Sequence, residues 1–215
     1  TYTSNPNLHK NLCFFTMGLP ASGKTTNSIK ILQVLKIKPE NIIHLDPDII
    51  MEELKKIEES SNLSTLNRNS VIITSKLFNK LITNGDNFSI IYYGTGKNWS
   101  SYQTMINKAK KNSYTTGLIN VKLDLESAIE RNSMRGRSVG KNVITNIHTR
   151  LTTPLTNKTP KKYIGKTNYE VLSSLVDFVY TIDTSSSSPS ILKAKGKKKN
   201  KKRSRKVKGK KSKKL

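Results

Sequence analysis

The chain has 215 residues, 39 of them Lys or Arg against 14 Asp or Glu, for a formal net charge of +25, and 34% of it is hydrophobic. That length suits one domain with a sizeable core plus a tail, or at most two small domains. The single cysteine, Cys13, excludes a disulfide within the chain, and no apolar stretch approaches the ~18 residues of a membrane helix.

Apolar runs and helix-period patterns alternate over about 180 residues, the rhythm of a mostly parallel sheet covered by helices. Leu12–Met17 is the first apolar run and reads as a strand. Behind it stands Gly18-Leu19-Pro20-Ala21-Ser22-Gly23-Lys24-Thr25, a complete match to the phosphate-binding pattern G-x-x-x-x-G-K-[ST]. The helix-like stretch Thr26–Lys36 follows. The pattern carries meaning only in this strand–loop–helix setting. Its glycines let backbone N–H groups close around β- and γ-phosphate oxygens and deliver them to a helix N-terminus. Lys24 would reach the same oxygens and the Thr25 hydroxyl would ligate Mg²⁺. Residues 18 to 26, Thr26 included, are therefore expected to grip ATP or GTP.

The second strand, Asn41–Leu45, runs into Asp46-Pro47-Asp48. Ligands of an open α/β sheet sit beyond the C-terminal ends of its strands, so both carboxylates should face the phosphate loop. Phosphoryl transfer to a hydroxyl needs a carboxylate to accept the proton and one to hold Mg²⁺ or its waters. Asp46 followed by Pro47 also fits a plain helix N-cap. The helix after it would carry Ile50, Leu54 and Ile57 on one face; Ser70–Thr83 repeats the pattern with Val71, Phe78 and Ile82.

Phe88–Tyr93 is the third strand, and Trp99, Tyr102, Ile106 and Ala109 mark the helix after it. Gly117–Leu123, helices Glu126–Arg135 and Asn142–Leu151, and a last strand Asp177–Ile182 complete the set. Pro154–Lys166 reads as a loop. Asn157-Lys158 within it resembles the start of a guanine-reading N-K-x-D but has no Asp, which disfavours a GTP switch. His44 and Cys13 read as core or sheet residues, and Trp99 as an anchor for its helix.

Ser185–Ser190 is a Ser-Pro linker, and residues 193–214 hold 15 basic residues and no acidic one. Such a segment lacks the apolar content to fold. Its clusters Lys197–Arg203 and Arg205–Lys211 would bind nucleic acid through phosphates, or serve as a nuclear or nucleolar address. No basic-then-apolar leader points to secretion, so a cytoplasmic or nuclear intracellular location is expected.

Gly18-Leu-Pro-Ala-Ser-Gly-Lys-Thr-Thr followed by Ile42-Ile-His-Leu-Asp-Pro-Asp resembles the zeta-toxin kinases and their polynucleotide-kinase-like relatives. Ile91-Tyr-Tyr-Gly-Thr-Gly-Lys97 is similar to the family's strand ending in a Glu-Gly-Thr-Gly-Arg type of sequence. Ala128-Ile-Glu-Arg131 leading to Arg135 and Arg137 agrees as well. The resemblance covers residues 10 to 150, and it implies a kinase acting on a hydroxyl. It makes Asp48 the base and has Thr95 and Lys97 contact the acceptor. Arg131 with Arg135 or Arg137 would close over the γ-phosphate. Four residues apart on a helix, Arg131 and Arg135 would share one face, and a guanidinium fork stabilises charge on a transferring phosphoryl. Gly136 and Gly140 bracket Arg137 and Ser138 as in a short lid. One departure stands out: Tyr93 occupies the place of the family's substrate-binding glutamate.

The expected architecture is therefore an α/β P-loop fold over residues 1–184, with a mostly parallel five-stranded sheet and helices on both faces. Residues 185–215 would be a linker and a disordered basic tail. The expected activity is ATP-dependent transfer of the γ-phosphate, with Lys24 and residues 18–26 on ATP, Thr25 and Asp46 on Mg²⁺, and Asp48 activating the acceptor. The acceptor is a nucleotide sugar, a nucleoside or a nucleic-acid end. The alternative is a nucleic-acid-binding nuclear protein with a regulatory nucleotide fold.

Overall fold

β1 (Leu12–Met17) is buried along its whole length, and its side chains divide by parity. Cys13, Phe15 and Met17 enter one cluster with Leu45, Ile90, Tyr92 and Leu118, while Leu12 and Phe14 join Ile42, Ile91, Ile119 and Val121 on the other side. A strand covered on both faces needs no polar alternation, which is why it reads as a continuous apolar run. The computed structural model describes residues 11–38, 42–57, 62–84, 88–136, 138–157, 159–185 and 190–196.

β2 (Ile42–Leu45), β3 (Ser89–Tyr92), β4 (Thr115–Lys122) and β5 (Phe178–Asp183) join β1 in a five-stranded parallel sheet ordered β2-β3-β1-β4-β5. Helices lie on both of its faces, as expected. α1 (Lys24–Val34) lays Ile31 and Leu32 on one. α3 (Leu63–Thr83), α4 (Trp99–Lys111) and α7 (Asn168–Leu175) cover the other with Phe78, Ile82, Tyr102, Ile106 and Leu172. α2 (Pro47–Ile57) packs on α3. α5 (Leu125–Ser133) and α6 (Lys141–Thr152) enclose a third cluster around Leu19 and Leu123. This puts an apolar floor under the phosphate loop.

A sixth strand, β6 (Ser190–Gly196), runs antiparallel along β5, pairing Asp183 with Ser190 and Phe178 with Gly196. For residues 190–196 this departs from the expected linker and tail. An edge strand is held first by main-chain bonds to its neighbour, which a Lys-containing segment of low apolar content forms as well as any. Residues 186–189 and 197–215, with the basic clusters Lys197–Arg203 and Arg205–Lys211, lie outside the described residues.

Three further differences have local causes. α3 begins at Leu63 rather than Ser70, because Asn62 caps it, its Oδ1 accepting from the Thr65 N–H at 2.9 Å. The buried stripe of α3 is Leu66, Ser70, Thr74, Phe78 and Ile82, which leaves Val71 exposed. Two small polar residues take core positions because their hydroxyls bond back to helix carbonyls, Thr74 to Ser70 at 2.6 Å and Ser70 to Asn67 at 2.9 Å. On α2, Met51 is buried and Ile57, the final residue, is exposed. α7 was not anticipated, although Thr167 and Glu170 form the capping box that opens it.

Candidate active site

The phosphate loop leaves β1 at Gly18 and enters α1 at Lys24. Gly18 sits at φ +144°, and a Cβ there would strike the Val121 carbonyl oxygen of β4. Only glycine lets the chain turn this close to the neighbouring strand. Gly23 precedes α1 in the left-handed region at φ +79° and brings no side chain to cap it. The first N–H groups of α1 therefore stay available to an anion. Leu19 is buried in the α5/α6 cluster, Pro20 and Ala21 form the half-buried tip, and Ser22 is buried with its N–H on the Leu19 carbonyl at 3.3 Å. Thr25 and Thr26 are exposed on the first turn of α1.

Lys24 folds back over this loop. Its Nζ donates to the Leu19 carbonyl at 2.7 Å and the Gly18 carbonyl at 3.3 Å. Burial of the ammonium pushes its pKa down from 10.5 to about 8; Asp48 and Asp46 pull it up, and Arg135 adds to the depression. Two carboxylates from the start of α2 and a guanidinium from the loop after α5 thus act on the phosphate-loop lysine. Asp46 is also the N-cap of α2: its Oδ1 accepts from the Asp48 N–H at 2.9 Å, and its carbonyl accepts from Ile50 at 3.2 Å. Pro47 is then the first helical residue, and Asp48 the second, exposed at the helix mouth.

The turn after β3 is tied to the start of the phosphate loop. Gly18 N–H donates to the Thr95 carbonyl at 3.2 Å, and Thr16 Oγ1 both donates to the Gly94 carbonyl and accepts from the Gly94 N–H at 3.0 Å. Thr95 is half-buried there and Lys97 is exposed. Tyr93 is buried, its hydroxyl 2.9 Å from His44 Nδ1 and its ring stacked on the imidazole at 5.8 Å. Burial pushes the Tyr93 phenol up to about 12, with the Asp46 charge adding to it.

The arginines do not sit as the spacing suggested. α5 ends at Ser133 with Met134 as its C-cap, so Arg135 lies in the following loop and shares no helical face with Arg131. The helix stops because Asn132 turns its amide onto the returning chain at Val139. Arg131 is half-buried, and its guanidinium donates to the Thr184 carbonyl at 2.7 Å. The Thr184 hydroxyl in turn donates to the Ser22 and Lys122 carbonyls, at 3.2 and 2.9 Å. Arg131 therefore braces the back of the phosphate loop through the end of β5. Arg135 is exposed, and Arg137 lies outside the described residues.

Sequence reasoning missed Asn132, Asn168 and Thr184. Thr167-x-x-Glu170 was a legible signal for the helix that begins at Asn168. Nothing in the local sequence marks the other two.

The loop fits a nucleotide triphosphate: a glycine cradle that a side chain would fill, unfilled helix N–H groups and an inward-folded lysine. Among the described residues no cluster of three His, Cys, Asp or Glu could hold a metal by itself, and no helix is long and apolar enough to cross a membrane. A metal here would have to lean on phosphate oxygens and water, as Mg²⁺ ordinarily does.

Solved structures share the fold at low identity. The PezAT toxin–antitoxin system of Streptococcus pneumoniae matches with a TM-score of 0.56 at 14% identity, covering 81% of this chain and 67% of that one. The AvrRxo1-ORF1:-ORF2 complex matches with a TM-score of 0.62 at 15% identity, covering 89% of this chain but only 60% of that one. The same complex has been solved with ATP. A kinase-like protein of Chloroflexus aurantiacus matches with a TM-score of 0.53 at 15% identity over 81% of this chain and 89% of its own. No curated protein matches in sequence. The family model described as Zeta toxin does match, over residues 2–167. That span takes in the phosphate loop, the Asp46–Asp48 corner, the Thr95 turn and the arginine segment, and the chain belongs to the zeta toxin family, ATP-dependent phosphotransferases that act on a hydroxyl group.

Proposed function

We propose that this kinase phosphorylates a hydroxyl of a nucleotide sugar, a nucleoside or a nucleic-acid end, with Asp48 as the base. The observation that carries the assignment is the glycine cradle at Gly18 with Lys24 folded onto the Gly18 and Leu19 carbonyls, and with Asp46 and Asp48 at the start of α2 close enough to act on its ammonium. Within the loop of residues 18–26, Lys24 and the backbone N–H groups at the start of α1 hold the β- and γ-phosphate oxygens. Asp48 takes the proton from the attacking hydroxyl, and its position at the helix mouth leaves room for an acceptor. Thr25 and Asp46 are the groups that would hold Mg²⁺ or its waters, and the ion supplies neutralisation of phosphate charge when bound. Thr95 and Lys97 line the acceptor side. Arg135, in the loop after α5, meets charge on the transferring phosphoryl, with Arg137 beside it in sequence. Arg131 contributes by bracing.

The reading is tested by incubating the protein with γ-labelled ATP and Mg²⁺ against UDP-sugars, nucleosides and 5′-hydroxyl oligonucleotides. Label is expected on one of these classes, and loss of label in Asp48→Asn with ATP binding retained. Full turnover in Asp48→Asn would remove Asp48 as the base. The 15 basic residues between 193 and 214 support nucleic-acid phosphates as an additional contact. Oligonucleotide affinity that ignores salt would exclude that contact.

A further inference from the structure

Residue 168 stands one position beyond the segment that matches the family, yet its side chain reaches the acceptor side of the site. Asn168 opens α7 and is 1% exposed. Its Nδ2 donates to two successive carbonyls, Gly96 and Lys97, both at 3.0 Å. These belong to the turn after β3, 72 and 71 residues earlier in the chain. The amide orientation follows from the chemistry, since only the NH₂ end can face two carbonyls. Its Oδ1 is buried without a partner, a cost that the two bonds at the other end must offset.

The contact continues inward. Thr95, one residue before the clamped pair, gives its carbonyl to the Gly18 N–H at 3.2 Å and its hydroxyl to the Lys97 N–H at 3.4 Å. One chain of hydrogen bonds thus runs from Asn168 through Lys97 and Thr95 to the first residue of the phosphate loop. α7 is held in turn by its own capping box and by Leu172 in the core. The turn carrying Thr95 and Lys97 therefore has a rigid support on each side, the phosphate loop on one and α7 on the other.

We propose that Asn168 is a positioning residue for the acceptor: its amide clamps the Gly96 and Lys97 carbonyls and so sets Thr95 and Lys97 at a fixed distance from the phosphate loop. The proposal rests on the reading of that turn as the acceptor side. Misplacing a reacting group by about 1 Å costs on the order of 100-fold in rate, so loss of the clamp should fall on the acceptor and spare the nucleotide.

The test compares wild type with Asn168→Ala and Asn168→Asp, the latter isosteric but setting a carboxylate against two carbonyls. Thr167→Ala serves as a control that weakens the α7 cap and leaves the amide in place. Whichever probe of the acceptor panel wild type labels is used at varied concentration, with ATP affinity by calorimetry and melting temperature alongside. For both Asn168 variants kcat/KM for the acceptor should fall about 10- to 100-fold. Their ATP Kd should move less than about twofold. Thr167→Ala should keep its acceptor KM at a comparable loss of melting temperature. A loss shared equally by ATP affinity and acceptor KM, or matched by Thr167→Ala, would make Asn168 merely structural and overturn the proposal. Unchanged acceptor kinetics in both Asn168 variants would do the same. A wild-type protein that labels no member of the panel removes the acceptor reading itself, and the proposal with it.

Discussion

Asn132 and Val139 bond to each other as two strands would. The Asn132 amide donates to the Val139 carbonyl at 2.8 Å, and its oxygen accepts from the Val139 N–H at 3.1 Å. The loop that carries Arg135 is thereby closed at its base while Arg135 and Gly136 stay exposed. Asn132→Ala should cost about 1–3 kcal/mol, because Val139 is left with unpaired groups. The Val139 amide should lose protection in hydrogen exchange. Gly136→Ala should be nearly neutral in melting temperature, since an added Cβ there meets nothing within 4 Å.

Asp46 has two duties that substitution can separate. Asn is as good an N-cap as Asp, so Asp46→Asn should leave the melting temperature within a degree or so, whereas Asp46→Ala should cost about 1 kcal/mol. Turnover should fall in both. Asp48→Asn should lower kcat by about 10²- to 10⁴-fold with ATP affinity retained. Circular dichroism and labelled-ATP kinetics on the three variants check this.

Gly18→Ala should be among the most damaging single changes. The new methyl group meets the Val121 carbonyl at a φ that L-residues rarely adopt. A penalty of about 3 kcal/mol is expected from strain and clash together. Calorimetry should also show ATP binding lost, since relieving the clash displaces the loop. Wild-type affinity in Gly18→Ala would contradict the loop geometry.

Lys24 makes both stability and nucleotide binding depend on alkaline pH. It releases its proton near pH 8 in the folded protein and near 10.5 in the unfolded chain. Between these values the unfolded chain holds the extra proton, so this group's contribution makes stability rise with pH across that window. Phosphate favours the charged amine, so ATP binding should take up a proton above pH 8 and weaken by about tenfold per pH unit. Calorimetry at about pH 8.5 in two buffers of different ionisation heat measures that uptake. Lys24→Met should abolish it.

β6 sets where the chain can be shortened. Truncation after Gly196 keeps the sixth strand and should leave the melting temperature unchanged. Truncation after Ser185 strips the edge of β5 and should lower it by about 2–4 °C for each kcal/mol of lost pairing. Equal melting temperatures for the two would mean that β6 adds nothing to the fold.

Much of this protein was legible in its sequence because local chemistry dictated it. Leu12–Met17 read as a buried strand, and G-x-x-x-x-G-K-[ST] after it led into a helix, expected from Thr26 and found from Lys24. Asp46-Pro47 spelled a helix start, and the order of these segments carried the family. What the sequence left open depended on partners far along the chain. Arg131 and Arg135 look alike four residues apart, yet one braces Thr184 and the other stands exposed in the following loop, because α5 ends where Asn132 meets Val139. β6 has no apolar signature, since its bonds are to the β5 backbone. Asn168 looks like any helix-opening residue until the fold brings the Gly96 and Lys97 carbonyls to its amide. Turn and strand chemistry is written over a few residues, whereas a hydrogen bond across 72 exists only once the sheet has closed.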